Sequence, residues 1–166
     1  MALTVEDGTG LAAADAYVSL ADANAYHLSM GNSAWAALSD ANKEIYIRRA
    51  TQYMDAMYSW RGERLRATQA LENPRFDEDL DELRDDVVWP PRGLKEACAE
   101  LALRASEGEL VSDIEDDRPI TREKVGPIET VYGTVTNAGQ KSYPIVDRLL
   151  RGLIFSRRTI SIVRSS

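Results

Sequence analysis

Helical periodicity in two long segments constrains the fold most. The first segment begins at Ser39 or Asp40, ends near Tyr58, and carries an apolar stripe at helical spacing made of Ile47, Ala50, Met54, Met57 and Tyr58. The second runs from about Arg92 to Glu107, and its apolar face is made of Leu94, Ala97, Cys98, Leu101 and Ala105. Gly108 follows the second segment, where a helix stop is expected. We expect this second helix at the centre of the core.

Two shorter helices are predicted at either end of the chain. Ser19 and Asp22 resemble a capping pair that opens a helix before Gly31, with an inner face of Leu20, Ala23, Tyr26 or His27, and Met30. Pro144 starts a last helix to about Leu153, whose inward residues are Val146, Leu149, Leu150 and Leu153. The pattern predicts a mainly α protein, a small helical bundle of four to five helices.

The remaining segments predict a hairpin, acidic loops and an arm. Ile120–Val125 and Ile128–Tyr132 flank Gly126–Pro127, which is typical of a β-hairpin inserted at about 120–132. Residues 77–86 hold seven acids against one arginine and indicate a solvated loop. We expect a helical domain over 1–153, including the hairpin, and an extended C-terminal arm over 154–166.

Charge is distributed unevenly along the chain. Residues 148–166 contain five arginines and no acid, whereas the whole chain has 20 Lys and Arg against 27 Asp and Glu, a net charge of −7. Thr159–Val163 alternates like a strand without a neighbouring partner strand in the sequence. A basic, strand-forming end on an acidic body predicts an arm that docks into a neighbouring subunit.

Catalytic, cofactor and metal chemistry find no support in the residue pattern. Cys98 lies on an apolar helix face, which predicts that its thiol is buried in the core. His27, the single histidine, is expected to be a helix-surface or packing residue. The Gly8-x-Gly10 pair lacks the third glycine of a dinucleotide motif. No apolar run approaches the roughly 18 residues of a membrane span. We therefore expect a protein that is not an enzyme, with no cofactor and no membrane partner.

Several segments, in order along nearly the whole chain, carry a resemblance to a known family. These segments are residues 5–11 (VEDGTGL), 14–19 (ADAYVS), 49–55 (RATQYMD), 60–62 (WRG), 69–71 (QAL) before Pro74-Arg75, 95–102 (KEACAELA), 122–128 (REKVGPI) and 143–150 (YPIVDRLL). The chain resembles the head–tail connector, adaptor or head-completion proteins of long-tailed bacteriophages. More narrowly, it is similar to a phage and prophage family often labelled DnaT-like single-stranded-DNA-binding protein. It departs from the pattern at Glu72–Asn73, where an aromatic residue is expected.

This resemblance implies a structural virion protein of the neck, assembled in the bacterial host cytoplasm. It implies self-association in a ring, a dodecamer, beneath the phage portal protein, with a stopper or tail-completion protein on its other side. It also implies that genomic DNA passes through the channel of this ring without specific binding. The residues expected to dock on the portal are Arg148, Arg151, Arg157, Arg158, Ile160, Ile162 and Arg164. The residues expected in an inter-subunit hairpin are Lys124, Val125, Gly126, Pro127 and Ile128.

The alternative interpretation takes the family label literally, as single-stranded DNA binding in replication. Trp35, Trp60 or Trp89 would then stack on bases, and the tail arginines would contact phosphates. The acidic net charge argues against this function, and core packing is the competing interpretation of the three tryptophans.

Overall fold

Two units make up the part of the chain that the computed structural model describes, which is residues 2–76, 89–111, 122–125, 128–131 and 141–157. The larger unit comprises residues 1–110 and 143–166, and the smaller comprises residues 111–142. Within these described ranges the helices are α1 (Leu20–Ser29), α2 (Ser33–Ala36), α3 (Asp40–Met57), α4 (Arg92–Glu107) and α5 (Pro144–Leu149).

The pair α3 and α4 forms the centre of the larger unit, and α4 also contacts α1 and α5. Leu94, Cys98 and Leu101 of α4 are fully buried, as are Ile47 and Met54 of α3. These residues belong to the two predicted apolar stripes, which confirms both long helices and the central position of α4. Cys98 is a core residue, as its helical position predicts.

Local capping chemistry explains where the helices begin. The hydroxyl of Ser19 accepts a hydrogen bond from the Asp22 N–H at 3.0 Å at the start of α1. Ser39 accepts one from the Asn42 N–H at 3.4 Å at the start of α3. Pro144 occupies the first turn of α5, where its missing N–H costs nothing.

Three local predictions differ from the structure. Met30 was expected on the inner face of α1, but the residue is 56% exposed. The last helix ends at Leu149, four residues before the predicted end, because the chain then turns toward a strand. At residues 67–72 the sequence allows a helical turn or two that stops before Pro74, but the structure has turns and bends there.

Short strands flank the C-terminal end of α3. Strand β1 (Tyr58–Trp60) continues directly from that helix, β2 (Glu63–Arg64) pairs antiparallel with β3 (Arg75–Phe76), and β6 (Ile154–Arg157) pairs antiparallel with β1. Tyr58 faces Arg157 and Trp60 faces Ile154, with an irregular register between Ser59 and Trp60. The first four residues of the predicted arm therefore pair within their own chain, and residues 158–166 lie outside the described residues.

The smaller unit contains the predicted hairpin. Strands β4 (Arg122–Val125) and β5 (Ile128–Val131) pair antiparallel, with Val125 opposite Ile128. The mainly helical class with a two-stranded insertion is thus confirmed. Gly126 and Pro127, together with the acidic segment 77–86, lie outside the described residues.

Candidate functional site

The tryptophans do not form a stacking platform. Trp35 and Trp60 are only 2% and 5% exposed, and the Trp35 indole N–H donates to Asn24 Oδ1 at 2.8 Å. Trp89 is half-buried, and its indole N–H donates to the Glu6 carbonyl at 3.0 Å. Base stacking needs an open ring face, so the stacking role predicted for Trp35 and Trp60 is wrong, and for these two core packing is confirmed.

Two phenylalanines are exposed instead. Phe155 of β6 is 73% exposed and Phe76 of β3 is 50% exposed. The guanidinium carbon of Arg61 lies 5.6 Å from the Phe155 ring centroid, a cation–π contact. The Arg61 N–H donates to the Leu153 carbonyl at 3.0 Å, which holds the two segments together just before β6.

Arginines brace the loop that carries Phe76, and one of them, Arg75, also forms an ion pair with Glu72 Oε2 at 2.7 Å. Arg75 donates from Nε to the carbonyl of Arg61 at 3.0 Å and from Nη2 to that of Gly62 at 2.7 Å. Arg66 donates from Nε to the Thr9 carbonyl at 2.5 Å, and Arg64 donates to the Gln69 carbonyl. We call this surface the basic–aromatic face; its members are Arg61, Arg64, Arg66, Arg75, Phe76 and Phe155.

Basic residues are concentrated in two stretches of the sequence, and described residues of both stretches, within 61–76 and 141–157, build this face. Residues 61–76 and 141–166 together hold ten Lys and Arg against three Asp and Glu, whereas the rest of the chain holds ten against 24. Arg148 and Arg151 are exposed just before β6. Asp147, the one acid of the C-terminal segment, accepts a hydrogen bond from the Tyr58 hydroxyl at 2.7 Å. The face therefore carries positive charge on a protein that is otherwise strongly acidic.

A polar pair of the buried Tyr17 and the half-buried Asp55 anchors the same loop to the core. The Tyr17 hydroxyl donates to Asp55 Oδ1 at 2.5 Å, and the Glu72 N–H donates to Asp55 Oδ2 at 3.2 Å. The Asn73 N–H donates to the Tyr17 oxygen at 3.0 Å. Burial raises the pKa of Asp55 to about 6. Burial and the neighbouring Asp55 carboxylate raise the pKa of Tyr17 well above its usual value.

Gln69 completes the bracing of the loop. Its side-chain amide donates to the carbonyls of Leu71 at 2.8 Å and Pro74 at 3.1 Å, and its oxygen accepts from the Arg66 N–H at 2.9 Å. The residues around 69–75 thus hold the backbone of the loop, and the exposed rings and charges are displayed on a fixed support.

Comparison with known proteins identifies the family. Residues 1–165 match the model of the family described as "Putative DnaT-like ssDNA binding protein". The chain belongs to this DnaT-like family. No curated protein and no solved structure matches it. The family description supports the single-stranded-DNA-binding alternative better than the head–tail adaptor interpretation.

The predicted interaction residues of this DnaT-like protein are scattered over the two units. Arg148 and Arg151 are exposed, and Arg157 ends β6 opposite Tyr58 in the backbone ladder. Lys124 and Val125 lie in β4, and Ile128 begins β5. The remaining predicted residues lie outside the described residues: Gly126, Pro127, Arg158, Ile160, Ile162 and Arg164. The docking roles of both sets stay predictions.

Sequence reasoning missed Phe76, Phe155 and the arginines beside them. Phe76 and Phe155 are the only two phenylalanines of the chain, and each has arginine as a close sequence neighbour, Arg75 and Arg157. The arginine close to each phenylalanine was the sequence feature that could have identified these residues. The pairing of β1 with β6, which brings Arg61 to Phe155, has no signature in the local sequence.

The titratable side chains of the core have structural roles in this DnaT-like fold. Cys98 is fully buried, and burial raises the pKa of its thiol to about 12. His27 is buried between the Ala99 carbonyl, 3.0 Å from Nε2, and the Asn32 amide, 2.9 Å from Nδ1, and burial lowers its pKa. The packing role expected for His27 is confirmed. Within the described ranges no cluster of His, Cys, Asp and Glu could hold a metal ion, and no helix there is long and apolar enough to cross a membrane.

Proposed function

We propose that this protein binds single-stranded DNA through the basic–aromatic face. The observation that carries the proposal is the exposure of two phenylalanine rings among arginines, on segments braced by hydrogen bonds, while Trp35 and Trp60 are buried. Proteins that bind single strands without sequence preference combine a basic surface with aromatic rings on which bases stack. The family description supports the same function.

The uneven distribution of charge along the chain favours DNA binding at the basic segments. Arginines at 61–76 and 141–166 attract the phosphate backbone, and the acidic remainder of the chain repels it. We therefore expect a strand to contact the basic segments rather than the acidic remainder of the chain. Phe155 has the more exposed ring, so it is the first candidate for a base contact.

Fluorescence anisotropy with a labelled oligothymidine tests the proposal. Phe155→Ala is expected to weaken binding by about 5- to 150-fold, because stacking of one base contributes about 1–3 kcal/mol. Ile45→Ala is the matched control, since Ile45 is also a large exposed apolar residue, 50% exposed on α3. Equal affinity of the Phe155 and Ile45 variants, with both folded by circular dichroism, would contradict the proposal.

Salt dependence tests the electrostatic part separately. The double substitution Arg148→Gln and Arg151→Gln is expected to reduce the slope of log affinity against log salt by up to about 1.4, since each phosphate contact to a single strand contributes about 0.7. Phe155→Ala should leave that slope unchanged. A slope that is the same in the wild type and the double variant would exclude these two arginines from the contact surface.

The second candidate function is the head–tail adaptor, a virion protein that forms a dodecameric ring between the portal and a stopper or tail-completion protein. The strong excess of acids outside the basic segments favours it, with ten Lys and Arg against 24 Asp and Glu, because acidic channel walls keep passing DNA mobile. In that function the basic C-terminal residues dock on the portal, and repeated weak contacts add up by multivalency.

Portal binding separates the two candidates. Purified portal rings are mixed with the full chain and with a chain that lacks residues 157–166, and the products are imaged by negative stain. A ring on the portal that is lost on truncation, together with no saturable oligothymidine binding, would favour the adaptor. Salt-sensitive DNA binding that depends on Phe155, without portal association, would favour the first proposal.

A further inference from the structure

A cleft of about 450 Å³ lies between α1, α2 and the first turn of α3. Its walls include His27 and Leu28 of α1, Trp35 of α2 and Lys43 of α3. It shares no residue with the basic–aromatic face. Its volume lies in the range of clefts that bind small molecules or side chains of a partner.

Most polar atoms in the wall already have partners. Both ring nitrogens of His27 are engaged, and the Trp35 indole N–H donates to Asn24. Lys43 differs because its ammonium has three donor hydrogens, and its contact with Asp40 Oδ1 is long at 3.4 Å. The Asp40 side chain is 72% exposed, so water competes for this contact.

Lys43 is also unusually buried for a lysine. The residue is only 7% exposed, and its ammonium lies 5.9 Å from the Trp35 ring centroid. Lysines are rarely buried unless they are paired. A single positive charge is thus held against an indole in a mostly apolar wall, where it would strengthen a hydrogen bond to an incoming anion.

One large apolar side chain at the cleft is exposed to solvent. Leu28 lines the cleft and is 84% exposed. Bulky apolar side chains exposed beside a concave site mark surfaces that bind other proteins. An anion alone would leave Leu28 in water, so the occupant needs an apolar group as well.

We propose that this cleft binds a peptide segment of a partner protein that carries a carboxylate next to a bulky apolar side chain. The carboxylate of the peptide replaces Asp40 as the partner of the Lys43 ammonium, and the apolar side chain of the peptide covers Leu28. A nucleic-acid strand fits less well, because it needs a row of cations, and Lys43 is the one Lys or Arg among the residues that line the cleft. The inference does not depend on DNA binding.

A labelled peptide of sequence DLDEL, with acids alternating with leucines as in residues 79–83 of this chain, is the probe. Saturable binding to the full chain is expected in the range of about 10–500 μM, as befits a small contact. Peptides with serine for leucine, or with Asn and Gln for the acids, should each bind at least about five-fold more weakly, because each lacks one of the two groups that the cleft recognises. Failure of the acidic peptide to saturate, or equal binding of its neutral form, overturns the proposal.

Matched variants locate the site. Lys43→Met keeps the unbranched side chain up to the position of Cε and removes the ammonium, so it should weaken peptide binding at least about five-fold, because a charge-assisted hydrogen bond is lost. Leu28→Ser should also weaken binding. Because Leu28 is 84% exposed, the fold should not depend on its side chain, and circular dichroism checks that the variant is folded. Phe155→Ala should bind the peptide as the wild type does, which keeps the result separate from DNA binding. Peptide affinity within two-fold of the wild type for Lys43→Met excludes the cleft.

Sedimentation velocity tests the competing occupant. If the full chain self-associates and Lys43→Met abolishes the association, the occupant is a second copy, and the proposal of a different partner protein is overturned. A monomeric chain that binds the peptide through Lys43 supports the proposal.

Discussion

The carboxylate of Glu6 holds the loop that follows it, and its removal is the sharpest test of the structure. Glu6 is 1% exposed. Its Oε1 accepts hydrogen bonds from the N–H groups of Gly8 and Gly10, both at 2.9 Å, and Oε2 accepts from that of Leu11 at 2.8 Å. Gly8 and Gly10 have φ of +96° and +77°, in the region that favours glycine, and so direct their N–H groups inward.

The size of the effect follows from these three bonds. Glu6→Ala leaves three N–H groups without their acceptor, and each loss costs about 1–3 kcal/mol when water cannot replace it. Because two of the three groups are only partly buried, we expect a total loss of about 3–5 kcal/mol. Glu6→Gln keeps the shape, but its NH₂ group must face at least one donor, so we expect a loss of about 2 kcal/mol.

Urea denaturation followed by circular dichroism measures both losses. Asp7→Ala is the control, since the exposed Asp7 bonds only the neighbouring Thr9, and a change below about 1 kcal/mol is expected there. The free energy of unfolding is expected to be lowest for Glu6→Ala, intermediate for Glu6→Gln and highest for the wild type. A Glu6→Ala variant within about 1 kcal/mol of the wild type would refute the role that we assign to the three hydrogen bonds.

Three further predictions concern buried groups. Because the pKa of Asp55 is raised to about 6 in the folded protein, the folded state binds more protons than the unfolded state between about pH 4 and pH 6, and this carboxyl's contribution to stability decreases as the pH rises through that range. When the free energy of unfolding is measured in urea at pH 4.5 and at pH 7, the wild type should lose up to about 2 kcal/mol more than Asp55→Asn on going to pH 7. Equal losses for the two proteins would contradict the raised pKa of Asp55. Gly93→Ala should destabilise the fold by about 1–3 kcal/mol in the same assay, because a Cβ at position 93 would lie 2.4 Å from the Leu149 carbonyl oxygen; an unchanged midpoint would show that α4 and α5 pack less closely. Cys98 should react with a thiol reagent only after unfolding, because it is fully buried and its pKa is raised to about 12, and rapid labelling of the native protein would be inconsistent with its placement.

The long helices were predictable because their information is local. Apolar side chains at helical spacing on α3 and α4 define which face each helix buries, and the Ser19 and Ser39 caps define where α1 and α3 begin. The hairpin of β4 and β5 was predictable for the same reason, since its strands are adjacent in sequence. The early end of α5 and the exposure of Met30 were not, because they depend on what each segment packs against.

Most of the candidate site could not be predicted from the sequence. The DNA-binding alternative named three tryptophans as stacking residues, of which two are buried in the core and the third is half-buried. Phe155 came to the surface beside Arg61 because two segments almost a hundred residues apart form one strand pair. The buried link from Asp55 to Tyr17 and the 69–75 loop likewise joins distant parts of the chain.

For this protein, the sequence alone determined the helical class, the inserted hairpin and the separation of a basic end from an acidic body, because periodicity, turn residues and charge are readable along the chain. Only the tertiary structure decided which aromatic rings reach water, which arginines surround them and which lysine lies in an apolar cleft. These features depend on contacts between residues far apart in sequence, and such contacts are selected by packing and hydrogen bonding over the whole core rather than by local preference.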